Sequence, residues 1–244
     1  MAVLSGIHPV MEALRAGRPL ERLLVAQGAG GPRVQAVIDL ARQAEIPVRF
    51  EQRAALDRLA GTAAHQGIVA LGAGKKYAEL DSVAAPRAGL LVVLDGVEDP
   101  HNLGAIIRTA HAAGAGGVVI PERRAASITD VVAKAAAGAL EHLPVVRVTN
   151  INRALEDLKQ RGYWIYGLDE RGAEDYDRVE YSQPTALVLG GEGKGLHEQA
   201  RRHCDVLVRI PMAGKISSLN VSVAAGIVLF EWKRRRGGKE KAQR

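Results

Sequence analysis

The chain has 244 residues, 47% hydrophobic, 25% charged and 4% aromatic, with one cysteine and a formal net charge of +6. That length and apolar content suffice for one large or two small domains, while a lone Cys204 excludes an intrachain disulfide and a cysteine-cluster metal site. The charge is uneven: residues 233–244 hold seven Lys or Arg and one Glu, and the rest balances at 26 basic against 26 acidic, so the surplus lies in a tail that either attracts phosphate or solubilises the chain.

In chain order, the first residues carry His8, Glu12 and Arg15 with no apolar run after a basic start, which argues against a secretory signal. The longest apolar stretches, 90–94 and 221–230, fall short of the ~18–20 residues of a membrane span, so a cytoplasmic protein is expected. Between residues 8 and 72, helical patterns (HPVMEALRAG, PRVQAVIDLARQA, QRAALDRLA) alternate with β-rich runs (RLLVA, PVRF, QGIVAL), which predicts a small α/β domain over 1–72. Residues 73–88, with Gly74, Lys75, Lys76 and Pro86 and no sustained periodicity, read as a linker. Beyond it, over 89–236, the apolar runs LLVVLD, GVVI, PVVRV, YWIYGL, ALVLG and VLVRI alternate with helical patterns at 103–113, 129–140, 151–161 and 219–235. Continuous apolar strands separated by helices predict a mostly parallel sheet covered on both faces. Residues 237–244 are expected to be a disordered basic tail.

Ligands of such sheets collect at the carboxyl ends of the strands, which directs attention to three loops. In DGVEDPHNLGAIIRTA, Asn102 is placed to cap the following helix, and Gly104, Arg108 and His111 share a face on it. There Arg108 is either simply solvated or aimed at a phosphate or developing oxyanion. In LVLGGEGKGL, four glycines surround Glu192 and let the backbone approach a ligand closely; the spacing is neither that of a P-loop nor of a dinucleotide fingerprint, so ATP and NAD lose support. In RIPMAGKISSLNVSVAAGIVLFEW, Ser218 and Asn220 open a helix that is apolar on most sides, and they either cap it or face a ligand. His101, His111, Glu98 and Asp99 suit surface or capping roles better than acid–base work, and no grouping of residues suggests a metal.

Taken together, PHNLGAIIRTA, GGEGKG and IPMAGKISSLNVSVAAGI resemble the three motifs of the SpoU-type (TrmH-like, SPOUT superfamily) RNA 2′-O-ribose methyltransferases, in order and approximate spacing, without departure at the key positions. GIHPVMEAL and HQGIVAL resemble the small ribosomal-protein-like α/β RNA-binding domain of the bacterial ribosomal-RNA branch. The resemblance spans nearly the whole chain apart from the tail, and is closest to the enzymes that methylate a guanosine 2′-hydroxyl in large-subunit (23S) ribosomal RNA.

The resemblance implies an α/β-knot domain, trefoil-knotted at its cofactor pocket, acting as a homodimer with S-adenosylmethionine as methyl donor and no metal. It further implies that Gly190, Ile210 and Leu219 contact that cofactor and that Asn102, Arg108, Glu192, Ser218 and Asn220 form the catalytic group. Guanidinium groups hold their proton strongly, so Arg108 is expected to orient the ribose hydroxyl and stabilise its developing charge rather than act as a literal base. Two other readings stand beside this one: a transfer-RNA methyltransferase of the same family, and a non-catalytic RNA-binding factor in ribosome assembly.

Overall fold

A computed structural model describes residues 2–84, 89–193, 195–215 and 218–242. In chain order the first elements are β1 (Ala2–Ser5), α1 (Ile7–Arg15), β2 (Leu20–Ala26), α2 (Pro32–Gln43), β3 (Val48–Glu51), α3 (Arg53–Ala60), β4 (Ile68–Gly72) and α4 (Leu80–Val83). There follow β5 (Leu90–Asp95), α5 (Pro100–Ala113), β6 (Gly117–Pro121), α6 (Asp130–Ala136), α7 (Ala139–His142), β7 (Val145–Val148), α8 (Ile151–Gln160) and β8 (Trp164–Leu168). The last are β9 (Glu174–Asp175), β10 (Thr185–Gly190), α9 (Glu198–His203), β11 (Val206–Arg209) and α10 (Val221–Ala242). The six apolar runs read as strands of a parallel sheet are all strands; β1, β9, α4 and α9 carry no periodic pattern long enough to announce them.

The chain forms two units, residues 1–76 with 128–142 and residues 77–127 with 143–244. The first holds a four-stranded sheet of order β1-β4-β2-β3, in which β4 is antiparallel to β1 and β2 while β2 and β3 run parallel. Its HQG motif is structural. His65 is buried, accepts from the Gly67 N–H at Nδ1 (3.0 Å) and faces Asp57 with Nε2 (2.8 Å), so the tautomer protonated on Nε2 satisfies both contacts. The Gln66 side chain accepts from the Ile7 N–H at the start of α1 (3.1 Å). Gly67 has φ +78°, and a Cβ there would stand 2.6 Å from that of Ala29.

Residues 128–142 join this first unit, although sequence order places them inside the sheet domain. Asp130 accepts from the N–H and Oγ of Ser5 (3.1 and 2.9 Å), Glu141 binds Arg18 (3.0 Å), and His142 meets Glu12 (2.8 Å). The helical pattern at 129–140 looks like a covering helix of the parallel sheet, and these polar ties between distant residues have no sequence signature.

The second unit is a seven-stranded sheet of order β7-β6-β5-β10-β8-β11-β9, with every neighbouring pair parallel. Leu91, Val93, Ala186 and Val188 pack on Ile151, Leu155 and Leu158 of α8 and Ala200 of α9. On the opposite face, Trp232 of α10 donates to the hydroxyl of Thr185 (3.0 Å). Burying both faces explains the unbroken apolar runs of β5 and β10. Part of the segment read as a linker is also built in: Ala78 bridges to Val146, and Val83 and Ala84 enter the core. The α10 backbone stays helical through Ala242, into the stretch expected to be disordered. No described helix is long and apolar enough to cross a membrane.

Candidate active site

Three loops meet at the carboxyl ends of β5, β10 and β11. Helix α5 begins earlier than its apolar pattern suggests, because Pro100 occupies its first turn. The N-cap is therefore Asp99, whose carboxylate accepts from the His101 N–H (2.8 Å). This corrects the expectation that Asn102 caps the helix: Asn102 lies within the first turn, 7% exposed, with its side chain free for longer contacts. Its Nδ2 donates to Glu192 Oε1, and its Oδ1 accepts from Asn220 Nδ2 (3.1 Å). A carboxylate acceptor on one side and an amide donor on the other fix which way the Asn102 amide faces.

Glu192 follows β10 in the glycine turn. A Cβ on Gly190 would fall 2.0 Å from the Gly195 carbonyl carbon, and one on Gly191 would fall 2.3 Å from the Gly96 carbonyl oxygen. The turn thus presses backbone against backbone, at a spacing that only glycine permits. Asn220 caps α10, one of the two roles open to it in the sequence: its Oδ1 accepts from the Ser222 N–H and Oγ (2.9 and 2.6 Å) while Nδ2 remains for Asn102. The chain Glu192–Asn102–Asn220 therefore joins loops 90 and 118 residues apart.

Beside it lies a cavity of about 610 Å³, within the ~300–1,000 Å³ of small-molecule sites. Gly190, Ile210 and Leu219 line it, as do Glu192, Ser218 and Asn220. Asn102 is not on its wall but holds Glu192 and Asn220, which are. Arg108 is exposed on α5, outside the lining, and makes no hydrogen bond or ion pair with a described residue. Among the described residues no cluster of His, Cys, Asp or Glu could hold a metal ion. Burial pushes the Cys204 thiol up to about 12, consistent with an inert core cysteine.

A fourth wall, Leu168 to Arg171 after β8, went unread in the sequence. The carboxyl-end rule applies to YWIYGLDERG as well, and DERG was the available signal. Asp169 is 5% exposed; it accepts from the Arg171 N–H (3.0 Å) and from Arg201 (2.9 Å). Burial alone would raise its pKa, but the Arg171 N–H and the Arg201 guanidinium outweigh it and hold the carboxyl below the usual aspartate value. A depressed folded pKa gives stability that is present above the unfolded value and lost as pH falls through the folded one. Asp169→Asn is expected to cost about 3 kcal/mol at neutral pH and to flatten the loss of stability below pH ~4, read from urea midpoints at pH 7 and pH 3.5. Equal midpoints for variant and wild type at pH 7 would refute the pairing.

The sheet is parallel, and its pocket lies beside a glycine-tight turn at the carboxyl ends of the strands, where sheets of this class bind ligands; the sequence comparisons name the family. Residues 89–230 match the SpoU rRNA Methylase family, and residues 3–78 match the domain described as RNA 2′-O ribose methyltransferase substrate binding. The chain belongs to the SpoU rRNA methylase family. It is 46% identical over 236 residues, 95% of this chain and 94% of the other, to a TrmH family tRNA/rRNA methyltransferase of Bacillus subtilis (strain 168). Among solved structures it is similar to the SpoU methyltransferase AviRb from Streptomyces viridochromogenes, with TM-score 0.85 and 29% identity over 98% of this chain and 90% of that one. The AviRb complex with the cofactor AdoMet aligns with TM-score 0.82 and 29% identity over 96% and 89% of the two chains.

Proposed function

We propose that this RNA 2′-O-ribose methyltransferase acts on a guanosine in large-subunit (23S) ribosomal RNA, with S-adenosylmethionine as donor. The observation that carries the chemistry is the Glu192–Asn102–Asn220 chain beside a pocket whose wall mixes apolar side chains with Glu192, Ser218 and Asn220. That lining suits a molecule with a flat heterocycle, a ribose and a charged amino-acid end, and the AdoMet complex of the similar AviRb supports the same ligand. When bound, S-adenosylmethionine supplies an electrophilic methyl group on a sulfonium. Gly190, Ile210 and Leu219 hold the cofactor, the first by close backbone approach.

The chain's own groups position the nucleophile, since an in-line attack needs alignment and a route for the hydroxyl proton. Arg108 orients the 2′-hydroxyl and stabilises the charge that develops on its oxygen. Glu192 orients Asn102 through their hydrogen bond, and Ser218 and Asn220 hold the loop and the ribose. The substrate assignment draws on the matched RNA 2′-O ribose methyltransferase substrate-binding domain; the similar Bacillus protein, described as tRNA/rRNA methyltransferase, keeps transfer RNA as the second reading.

The protein acts as a homodimer in this proposal. Val223 and Phe230, seven residues apart on one face of α10, are 51% and 47% exposed, an apolar face suited to a second copy, and sedimentation of the wild type reads the assembly. The deciding experiment is transfer from labelled S-adenosylmethionine to protein-free large-subunit RNA lacking the modification, with the product mapped. One 2′-O-methylated guanosine supports the reading; methylation of transfer RNA alone moves the substrate to the second one.

A further inference from the structure

Outside the pocket, the arginines of the sheet unit fall into two groups. Many are neutralised by carboxylates: Arg161 by Asp81 and Asp157, Arg201 by Asp169 and Glu198, Arg209 by Asp175, Arg235 by Glu231. By contrast Arg123, Arg124, Arg147 and Arg153 are all exposed, and none has an ion pair to a described residue. These four sit together at the carboxyl ends of the parallel neighbours β6 and β7: Arg123 and Arg124 in the turn after β6, Arg147 near the end of β7, Arg153 in the first turn of α8.

We propose that these four guanidinium groups form a track for the phosphodiester backbone of the substrate RNA, leading from the methyl-transfer pocket along the carboxyl rim of the sheet. This rests on the RNA-methylation reading above and names where the RNA strand lies.

The geometry ties both ends of the track to fixed structure. At the near end, the Ala126 N–H donates to the Val97 carbonyl (2.9 Å), which anchors the arginine turn on the Gly96–Val97 backbone. That same backbone touches Gly191, next to Glu192. At the far end, the Glu122 N–H bonds the Val148 carbonyl (2.9 Å) and so joins the turn to the end of β7. There Arg147 and Arg153 line a second cavity of about 570 Å³. The Arg147 guanidinium lies 4.4 Å from the Tyr77 ring centroid, which holds its plane without cancelling its charge. Asn150 already bonds the first N–H groups of α8 (2.9 and 3.3 Å), so side chains and not the helix end offer the donors. Two carboxylates of this cavity face cations, Asp157 toward Arg161 and Glu156 toward His203. That leaves Arg147 and Arg153 in excess over Glu122 within this cavity. Planar, bidentate guanidinium groups match phosphate geometry, and their contacts are read by salt.

The test compares Arg123→Gln/Arg124→Gln and Arg147→Gln/Arg153→Gln with wild type, binding a transcript of large-subunit ribosomal RNA between 50 and 200 mM salt. Each double variant is expected to lower the slope of log affinity against log salt by about 1.4, at ~0.7 per lost single-strand phosphate contact. Binding at the lower salt should weaken roughly tenfold or more, while S-adenosylmethionine affinity by calorimetry stays that of wild type. Arg202→Gln, which removes an arginine paired with Glu198, is the control and should leave the slope alone. Unchanged slopes and affinities in both double variants, with the wild type binding and methylating RNA, overturn the track and leave the methyltransferase reading standing. A wild type that neither binds nor methylates RNA sinks both.

Discussion

Replacing Arg108 by alanine is expected to lower methyl transfer to RNA by roughly two to three orders of magnitude, the usual cost of removing one donor to a developing oxyanion. S-adenosylmethionine binding should be unchanged, because Arg108 lies outside the lining of the pocket and holds none of its walls. The variant should fold normally for the same reason: the side chain is exposed and bonds no described residue. Arg108→Lys separates charge from shape. Lysine keeps the positive charge but lacks the planar fork, so a rate well below wild type assigns the role to oriented donation. Single-turnover rates at saturating RNA make the measurement. A lysine variant at the wild-type rate would falsify the orienting role, and an alanine variant at that rate would remove Arg108 from the chemistry.

The sheet was legible because its strands are buried on both faces. Runs such as LLVVLD and ALVLG become β5 and β10 with every residue buried, and burial is what an unbroken apolar run encodes. Candidate site residues were legible where backbone chemistry forces a residue type, as at Gly190 and Gly191, whose Cβ atoms would strike backbone. Asn102 shows the limit. Its position before an apolar helix suggested a cap, but Asp99 with Pro100 takes that role and releases Asn102 to reach residues 90 and 118 positions away. Contacts of that kind depend on tertiary placement and leave no local pattern. The same holds for Asp130, whose bonds to Ser5 draw 128–142 into the first unit. Asp169 differs again: its value comes from burial between Arg171 and Arg201, which the residue types of DERG do not display.

Gly190→Ala carries the other large expected effect. An added Cβ would stand 2.0 Å from the carbonyl carbon of Gly195, 2.2 Å from its oxygen and 2.4 Å from the Leu196 nitrogen. These are backbone atoms, so relief cannot come from a side chain turning aside. Nor can residue 190 retreat easily, since it is in parallel register with Asp95 at the end of β5. The turn bearing Glu192 must therefore move away, which opens the pocket wall and strains the Glu192–Asn102 contact. Overpacking of this sort costs about 1–3 kcal/mol, and the displaced wall should weaken S-adenosylmethionine binding tenfold or more. Gly114→Ala separates the two consequences. Gly114 ends α5 at φ +87° with nothing within 4 Å of an added Cβ, so it should lower the thermal midpoint through left-handed backbone strain of about 1–2 kcal/mol while cofactor affinity holds. Calorimetry with S-adenosylmethionine beside thermal unfolding reads both variants. If Gly190→Ala bound the cofactor as tightly as Gly114→Ala, backbone approach at the glycine turn would not be what shapes the pocket.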